Sequence, residues 1–255
     1  MQPRRLKPEF FEKVWGSTHL EPWFPNRPEK IGEVWFHTPE IALLVKFLFT
    51  TGKLSVQVHP GDEYARVHHN SPGKTEMWHV LAAEPGARIA AGFREPVTEP
   101  QLRAAALSGE IENLLQWFEA RPGDTFFIPA GTVHAIGAGL ALCEIQQHSD
   151  VTYRLYDYGR PRELHLDDAL NVIHYDRADA RVVPTTPVLV ECDHFHVSQW
   201  DIAGEEGHRS YGPTYYIVCR GTGMISGQPT KAGDVWTVDE SVELHGPMTL
   251  LLAKS

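Results

Sequence analysis

Residues able to hold a metal ion occur at three places in this 255-residue chain. In "LSVQVHPGDE", Leu54, Val56 and Val58 alternate with Ser55, Gln57 and His59. Alternate side chains of a strand point to opposite faces, so Gln57 and His59 share a face at a spacing of about 7 Å. Glu76 opens the next strand-like segment, "GKTEMWHV", and His134 ends "GDTFFIPAGTVH". Two imidazoles, one carboxylate and one amide oxygen suit Zn2+ or another first-row dication. A neutral amide in place of a second carboxylate leaves about one unit of positive charge on a dication site, which favours a Lewis-acid role.

Taken singly, Gln57, His59 and Glu76 read as solvated polar groups. The His134 stretch changes that reading. Gly123, Pro129, Gly131 and His134 follow G-x5-P-x-G-x2-H: one tight turn, a second bend, then a histidine on the next strand. This resembles the second motif of the cupin superfamily, whose terminal histidine binds metal inside a β-barrel. His68, His69, His79, His148, His165 and His174 are not expected as ligands; His79 has the opposite strand parity to Glu76. A second chemical stretch is "CEIQQHSDVTYRLYDYGR". If it continues as one regular strand, Glu144, Asp150 and Arg154 lie on one face, offering a carboxylate base and a cation for an oxyanion.

The elements that must position these groups are mostly strands. "EIALLVKFLF" and "KLSVQVH" flank Thr50-Thr51-Gly52, read as a hairpin turn, and short segments broken by Gly and Pro continue to "LALCEIQQ". Such regular spacing predicts a sandwich or barrel. Helices are few. Thr98 with Gln101 forms a capping-box pattern opening a segment that runs to Glu119, divided at Gly109 into two short helices. "GDEYARVHH" and "LDDALNVIH" are read as single short helices. "YYIVCRGTGMISGQPTKAGDVWTV" loosely echoes "MWHVLAAEPGARIAAG" and "RPGDTFFIP". The fold expected is mainly β, a bicupin of two β-barrel (jelly-roll) halves with a few short helices. Residues 1–178 form the metal-binding half and 179–255 a degenerate half without ligands, joined through "RADARVVPTTP", with N-terminal strands able to be shared between them.

Composition bounds the rest. A formal net charge of −10 argues against nucleic acid or an anionic membrane as partner. Three widely spaced cysteines cannot all pair internally and read as reduced thiols of a cytoplasmic protein. No signal-peptide core is present, and no apolar run approaches the ~20 residues of a membrane span.

Six ordered motifs sharpen the reading: "EKVWG", "IGEVW", "LSVQVHP", "GKTEMW", "GDTFFIPAGTVHAIG" and "SDVTYRLYDYGR". Together they resemble type I mannose-6-phosphate isomerases (phosphomannose isomerases) in a short form lacking the helical insertion of longer members. The resemblance implies a one-zinc aldose–ketose isomerase that interconverts mannose 6-phosphate and fructose 6-phosphate through a cis-enediol. It places the zinc ligands on Gln57, His59, Glu76 and His134, and an active-site lysine on Lys74. The acidic positions fall on Glu144 and Asp150, the arginine on Arg154, and a phosphate-contact candidate on Ser55. Some longer members carry a histidine just before the lysine, where this chain has Gly73, so a mechanism using that histidine does not transfer. Alternatives are the same chemistry on another sugar phosphate, a cupin iron dioxygenase on His59, Glu76 and His134, and a sugar-phosphate sensor without turnover. Monomer and homodimer both remain open.

Overall fold

A computed structural model describes residues 3–176, 180–182 and 187–255. Its chain contacts define two compact units. The first takes Met1–Phe49, Cys143–Ile145 and Val182–Ser255, the second Thr50–Leu142 and Gln146–Arg181. Most of the "RADARVVPTTP" connection, including the boundary expected at 178/179, lies outside the described residues.

The second unit is built on a five-stranded antiparallel sheet in the order Tyr153–Tyr156, Val56–Val58, His134–Ile136, Arg88–Phe93 and Leu115–Glu119. Strand Glu76–Ala83 pairs with Thr125–Ile128 in another layer. One face of the five-stranded sheet is apolar. Val56, Val58, Ala135 and Leu155 pack with Leu102 and Ala106 of helix Glu99–Ser108 and with Ala169 of helix Leu166–Leu170.

Local chemistry accounts for the helix ends. The Thr98 backbone N–H donates to Gln101 Oε1 at 2.9 Å, completing the expected capping box. Gly109 ends that helix at φ +84°, a left-handed conformation that costs a Cβ-free residue little.

Three expectations are corrected. Thr50-Thr51-Gly52 is not a hairpin turn, because Val56–Val58 pairs with Tyr153–Tyr156 and His134–Ile136 instead of the preceding strand. Thr50 Oγ1 donates to the Gly137 carbonyl at 2.8 Å and Leu54 N to the Ile136 carbonyl at 2.9 Å, tying the segment to that strand end. After Gly109 only a 3-10 turn, Glu110–Asn113, remains helical, and Leu115–Glu119 is a strand on the sheet edge beside Arg88–Phe93. Finally, the stretch carrying Glu144, Asp150 and Arg154 is two strands, Leu140–Gln147 and Tyr153–Tyr156. It breaks where Ser149 N turns back to the Gln147 carbonyl at 2.7 Å.

The first unit contains a sheet in the order Arg4–Arg5, Val235–Val238, Thr214–Ile225, Met248–Lys254, His196–Ile202 and Val188–Glu191. Strands Glu205–Arg209 and Ser241–His245 pair with each other, and the far end of Thr214–Ile225 joins Ser241–His245. Tyr216, Val218, Trp236 and Leu250 pack against Ile225, Val242 and Leu244 in the core between these layers. Cys143, Cys192 and Cys219 are free thiols, and contact with Cys219 together with burial pushes the Cys143 thiol up. No helix among the described residues is long and apolar enough to cross a membrane.

Candidate metal centre

Gln57, His134 and Arg154 form one row across three adjacent strands: Gln57 is in register with His134 on one side and with Arg154 on the other. Directly paired residues project from the same face with Cβ atoms ~5 Å apart. That face is opposite to Val56 and Val58, which pack under the helices. It meets the Glu76 strand, whose Trp78 ring stands 5.3 Å from the His134 ring, edge to face. The polar side of the Leu54–His59 stretch therefore looks into the interior of the unit.

His59, Glu76 and His134 close the site. One ligand atom from each lies within 4.8 Å of the others, and all three residues are fully buried. His59 Nε2 is 3.5 Å from Glu76 Oε2, and His134 Nε2 is 3.5 Å from Glu76 Oε1. Each imidazole is oriented from behind. His59 Nδ1 donates to the Val151 carbonyl and His134 Nδ1 to the Thr132 carbonyl, each at 2.9 Å. A carbonyl can only accept, so both Nδ1 atoms carry hydrogen and a neutral ring presents its Nε2 lone pair to the cluster. This is the backing that metal-binding histidines use.

Gln57 borders the same space. Its Nε2 is 3.2 Å from His134 Nε2, and its Oε1 accepts from Ser55 Oγ at 3.2 Å. A half-turn of the amide exchanges these ends, bringing Oε1 to the cluster while Nε2 donates to Ser55 Oγ; an amide's orientation follows its partners. Ser55, expected as a phosphate contact, here touches Gln57. The donor set thus fits a first-row dication: two imidazole lone pairs, a carboxylate and an adjacent amide.

Lys74 is buried with the cluster. Its Nζ lies 2.8 Å from His59 Nε2 and also donates to Glu76 Oε2, so a cation already rests against two of the three donor groups. The segment carrying Lys74 and Glu76 is held by its backbone. Lys74 N donates to the Pro60 carbonyl at 3.0 Å, Thr75 N to Gln147 Oε1 at 2.9 Å, and Gly73 N to Asp62 Oδ1 at 2.7 Å. Gln147 Nε2 in turn donates to Asp62 Oδ1 at 2.8 Å. A Cβ on Gly73 would lie 2.6 Å from Asp62 N, which explains why no side chain stands before the lysine. Asp62 and Gln147 escape a reading of the sequence because they act on residues 11 and 72 positions away.

Arg154 is half-buried, and its Nη1 donates to the Glu163 carbonyl at 3.4 Å. Burial, and next the neighbouring Arg162, lower its proton affinity from the ordinary arginine value. Asp150 lies exposed between strands. Glu144 belongs to the first unit, buried and paired with Lys46 at 3.2 Å. His79 is buried against Thr125 Oγ1 at 3.1 Å and is not in the cluster.

Fold and site together define a mainly β bicupin with a buried candidate metal centre in one unit. No family model matches the chain. The chain belongs to the mannose-6-phosphate isomerase family: it is 34% identical to Mannose-6-phosphate isomerase ManA of Bacillus subtilis (strain 168), over 91% of each chain. It is also 37% identical to the Mannose-6-phosphate isomerase of Streptococcus mutans serotype c, over 72% of this chain and 62% of that one. The crystal structure of the mannose 6-phosphate isomerase from Bacillus subtilis superposes with a TM-score of 0.87 at 28% identity, covering 100% of both chains.

Proposed function

We propose that the chain is a zinc-dependent isomerase that interconverts mannose 6-phosphate and fructose 6-phosphate by moving a proton between C1 and C2 of the open-chain sugar through a cis-enediol. The observation that carries this reading is the buried His59–Glu76–His134 cluster with Lys74 against it, in a chain of this family. His59, Glu76 and His134 would hold the ion, with Gln57 as the fourth ligand. When bound, zinc supplies an electrophile that lowers the energy of negative charge on sugar oxygens.

The chain's own residues supply the rest. Lys74 and Arg154 would be the cations that meet a developing oxyanion, and such charge is stabilised most strongly where water is excluded. The proton carrier is assigned to Glu144 or Asp150 on the family resemblance alone. Of the two, Glu144 is shielded from bulk water and Asp150 is not. The sugar's phosphate requires cations, and Arg154 serves there or at the oxyanion. Metal analysis paired with a coupled isomerase assay, before and after chelation, tests the reading. Activity should fall with bound zinc and return on its restoration. Activity without metal would overturn the zinc reading, and turnover of another sugar phosphate but not mannose 6-phosphate would redirect the specificity.

A further inference from the structure

The first unit has an inner face of its own. On strand His196–Ile202, residues His196, Ser198 and Trp200 pair in register with Lys254, Leu252 and Leu250. Alternate residues share a face, and Leu250 and Leu252 belong to the core, so His196, Ser198, Trp200 and Lys254 project to that side. His208 enters from the other layer. Its Nδ1 is hydrogen-bonded to the Tyr216 hydroxyl, and its ring stands 4.6 Å from that of Trp200 at 64°. These side chains, with Arg209, help line a cavity of about 230 Å³.

The groups around this cavity have a definite chemistry. Burial lowers the proton affinity of His208, so its ring is neutral at pH 7. With Nδ1 engaged by the Tyr216 hydroxyl, Nε2 is the ring nitrogen left for a ligand, and a hydroxyl can pair with it as donor or acceptor. Ser198 Oγ accepts from Trp200 Nε1 at 3.1 Å, which leaves the serine O–H to donate. Trp200 is half-buried, its indole an apolar wall. Lys254 and Arg209 stand exposed at the rim, and among the described residues no carboxylate lines the cavity. Glu191 lies 3.9 Å from His196. A basic rim in a chain of net charge −10 is a local reversal of the overall field. The volume is below the ~300–1,000 Å³ of pockets for drug-sized ligands.

We propose that this cavity is a second ligand site, distinct from the His59–Glu76–His134 cluster, for a small polyol bearing one anionic group, of the phosphorylated-monosaccharide class. The C–H face of the ligand would rest on Trp200, its hydroxyls would hydrogen-bond to Ser198 Oγ and His208 Nε2, and its anion would meet Lys254 and Arg209. Neither a metal nor a reaction is involved, so the inference stands apart from the isomerase reading.

The test is equilibrium dialysis of the metal-loaded protein with a labelled hexitol 6-phosphate, which has no carbonyl to isomerise. Lys254→Ala and Arg209→Ala, both at exposed positions, and Trp200→Phe are compared with the wild type. The number of molecules bound per chain should fall by one in the Lys254→Ala, Arg209→Ala double variant, and the second-site Kd should weaken in Trp200→Phe. Isomerase turnover measured in the same preparations should be unchanged. Equal stoichiometry and affinity in wild type and variants would overturn the proposal. Neutral hexitol, which lacks the charge-assisted hydrogen bonds to Lys254 and Arg209, and inorganic phosphate, which lacks the hydroxyl contacts and the face on Trp200, should each bind this site at least about tenfold more weakly. Phosphate binding as tightly as the ester would overturn the sugar assignment, and hexitol doing so would overturn the anion assignment.

Discussion

Lys74 Nζ lies 2.8 Å from His59 Nε2, the ring nitrogen left with its lone pair because His59 Nδ1 is committed to the Val151 carbonyl. A lysine and a metal ion therefore draw on the same imidazole and on the same Glu76 carboxylate. Ion binding would move the ammonium off these donors and leave a cation beside the site, where the proposed reaction would develop negative charge. Lys74→Met removes both the competition and the cation. Metal affinity should be kept or raised while kcat drops by roughly 10²–10³-fold, the effect of removing one preorganised donor. Metal titration and steady-state kinetics on one preparation separate these effects; a variant that loses its metal would contradict this account of Lys74.

His134, a proposed ligand, is buried beside Trp78 and Gln57 and anchored through Nδ1. His134→Ala should weaken metal binding by more than the ~10–100-fold typical of losing an outer-shell partner. Elemental analysis after dialysis reads this directly. Full occupancy in the variant would show that the ion is held elsewhere.

Arg154 contributes no atom to the cluster, although it is in register with Gln57. Arg154→Ala should leave bound metal unchanged and lower kcat by about 10²–10³-fold if it meets developing charge. If it grips the phosphate instead, KM rises and kcat holds. Near-normal values of both would remove it from the site.

Glu144 and Asp150 differ in surroundings: one buried against Lys46, the other exposed. Glu144→Gln should lower turnover by ~10²–10⁴-fold, the usual contribution of a general base, and Asp150→Asn should do much less. The reverse order would transfer the role to Asp150. A denaturation midpoint for Glu144→Gln is needed alongside, because that change also breaks a buried ion pair.

Gly73 has no room for a Cβ beside Asp62 N. Gly73→Ala should cost about 1–3 kcal/mol of stability through overpacking and displace the Lys74 backbone. Gln147→Leu should act on the same segment by leaving Thr75 N without its side-chain acceptor. Urea denaturation measures the first effect and kcat the second; an unchanged kcat in Gln147→Leu would mean that the segment holds its place unaided.

The alternation of Leu54–His59, the G-x5-P-x-G-x2-H spacing and the Thr98–Gln101 cap are short-range patterns. They act through strand parity, turn geometry and neighbouring hydrogen bonds, so the β class, the helix Glu99–Ser108 and the three cluster residues were legible in the amino-acid sequence. Parity could not show that the chain turns at Ser149, which takes Asp150 and Arg154 out of the register of Glu144. Nor could propensity turn Leu115–Glu119 into a helix once an open sheet edge beside Arg88–Phe93 offered hydrogen bonds. The lone pairs of His59 and His134 are set by Val151 and Thr132, the Lys74 segment by Asp62 and Gln147, and the Trp200–His208 cavity by pairing between strands. Most of these contacts join residues far apart along the chain, and backbone carbonyls look alike in any sequence. The donor types were therefore determined by the sequence itself, while their protonation, support and convergence were decided only by the folded chain.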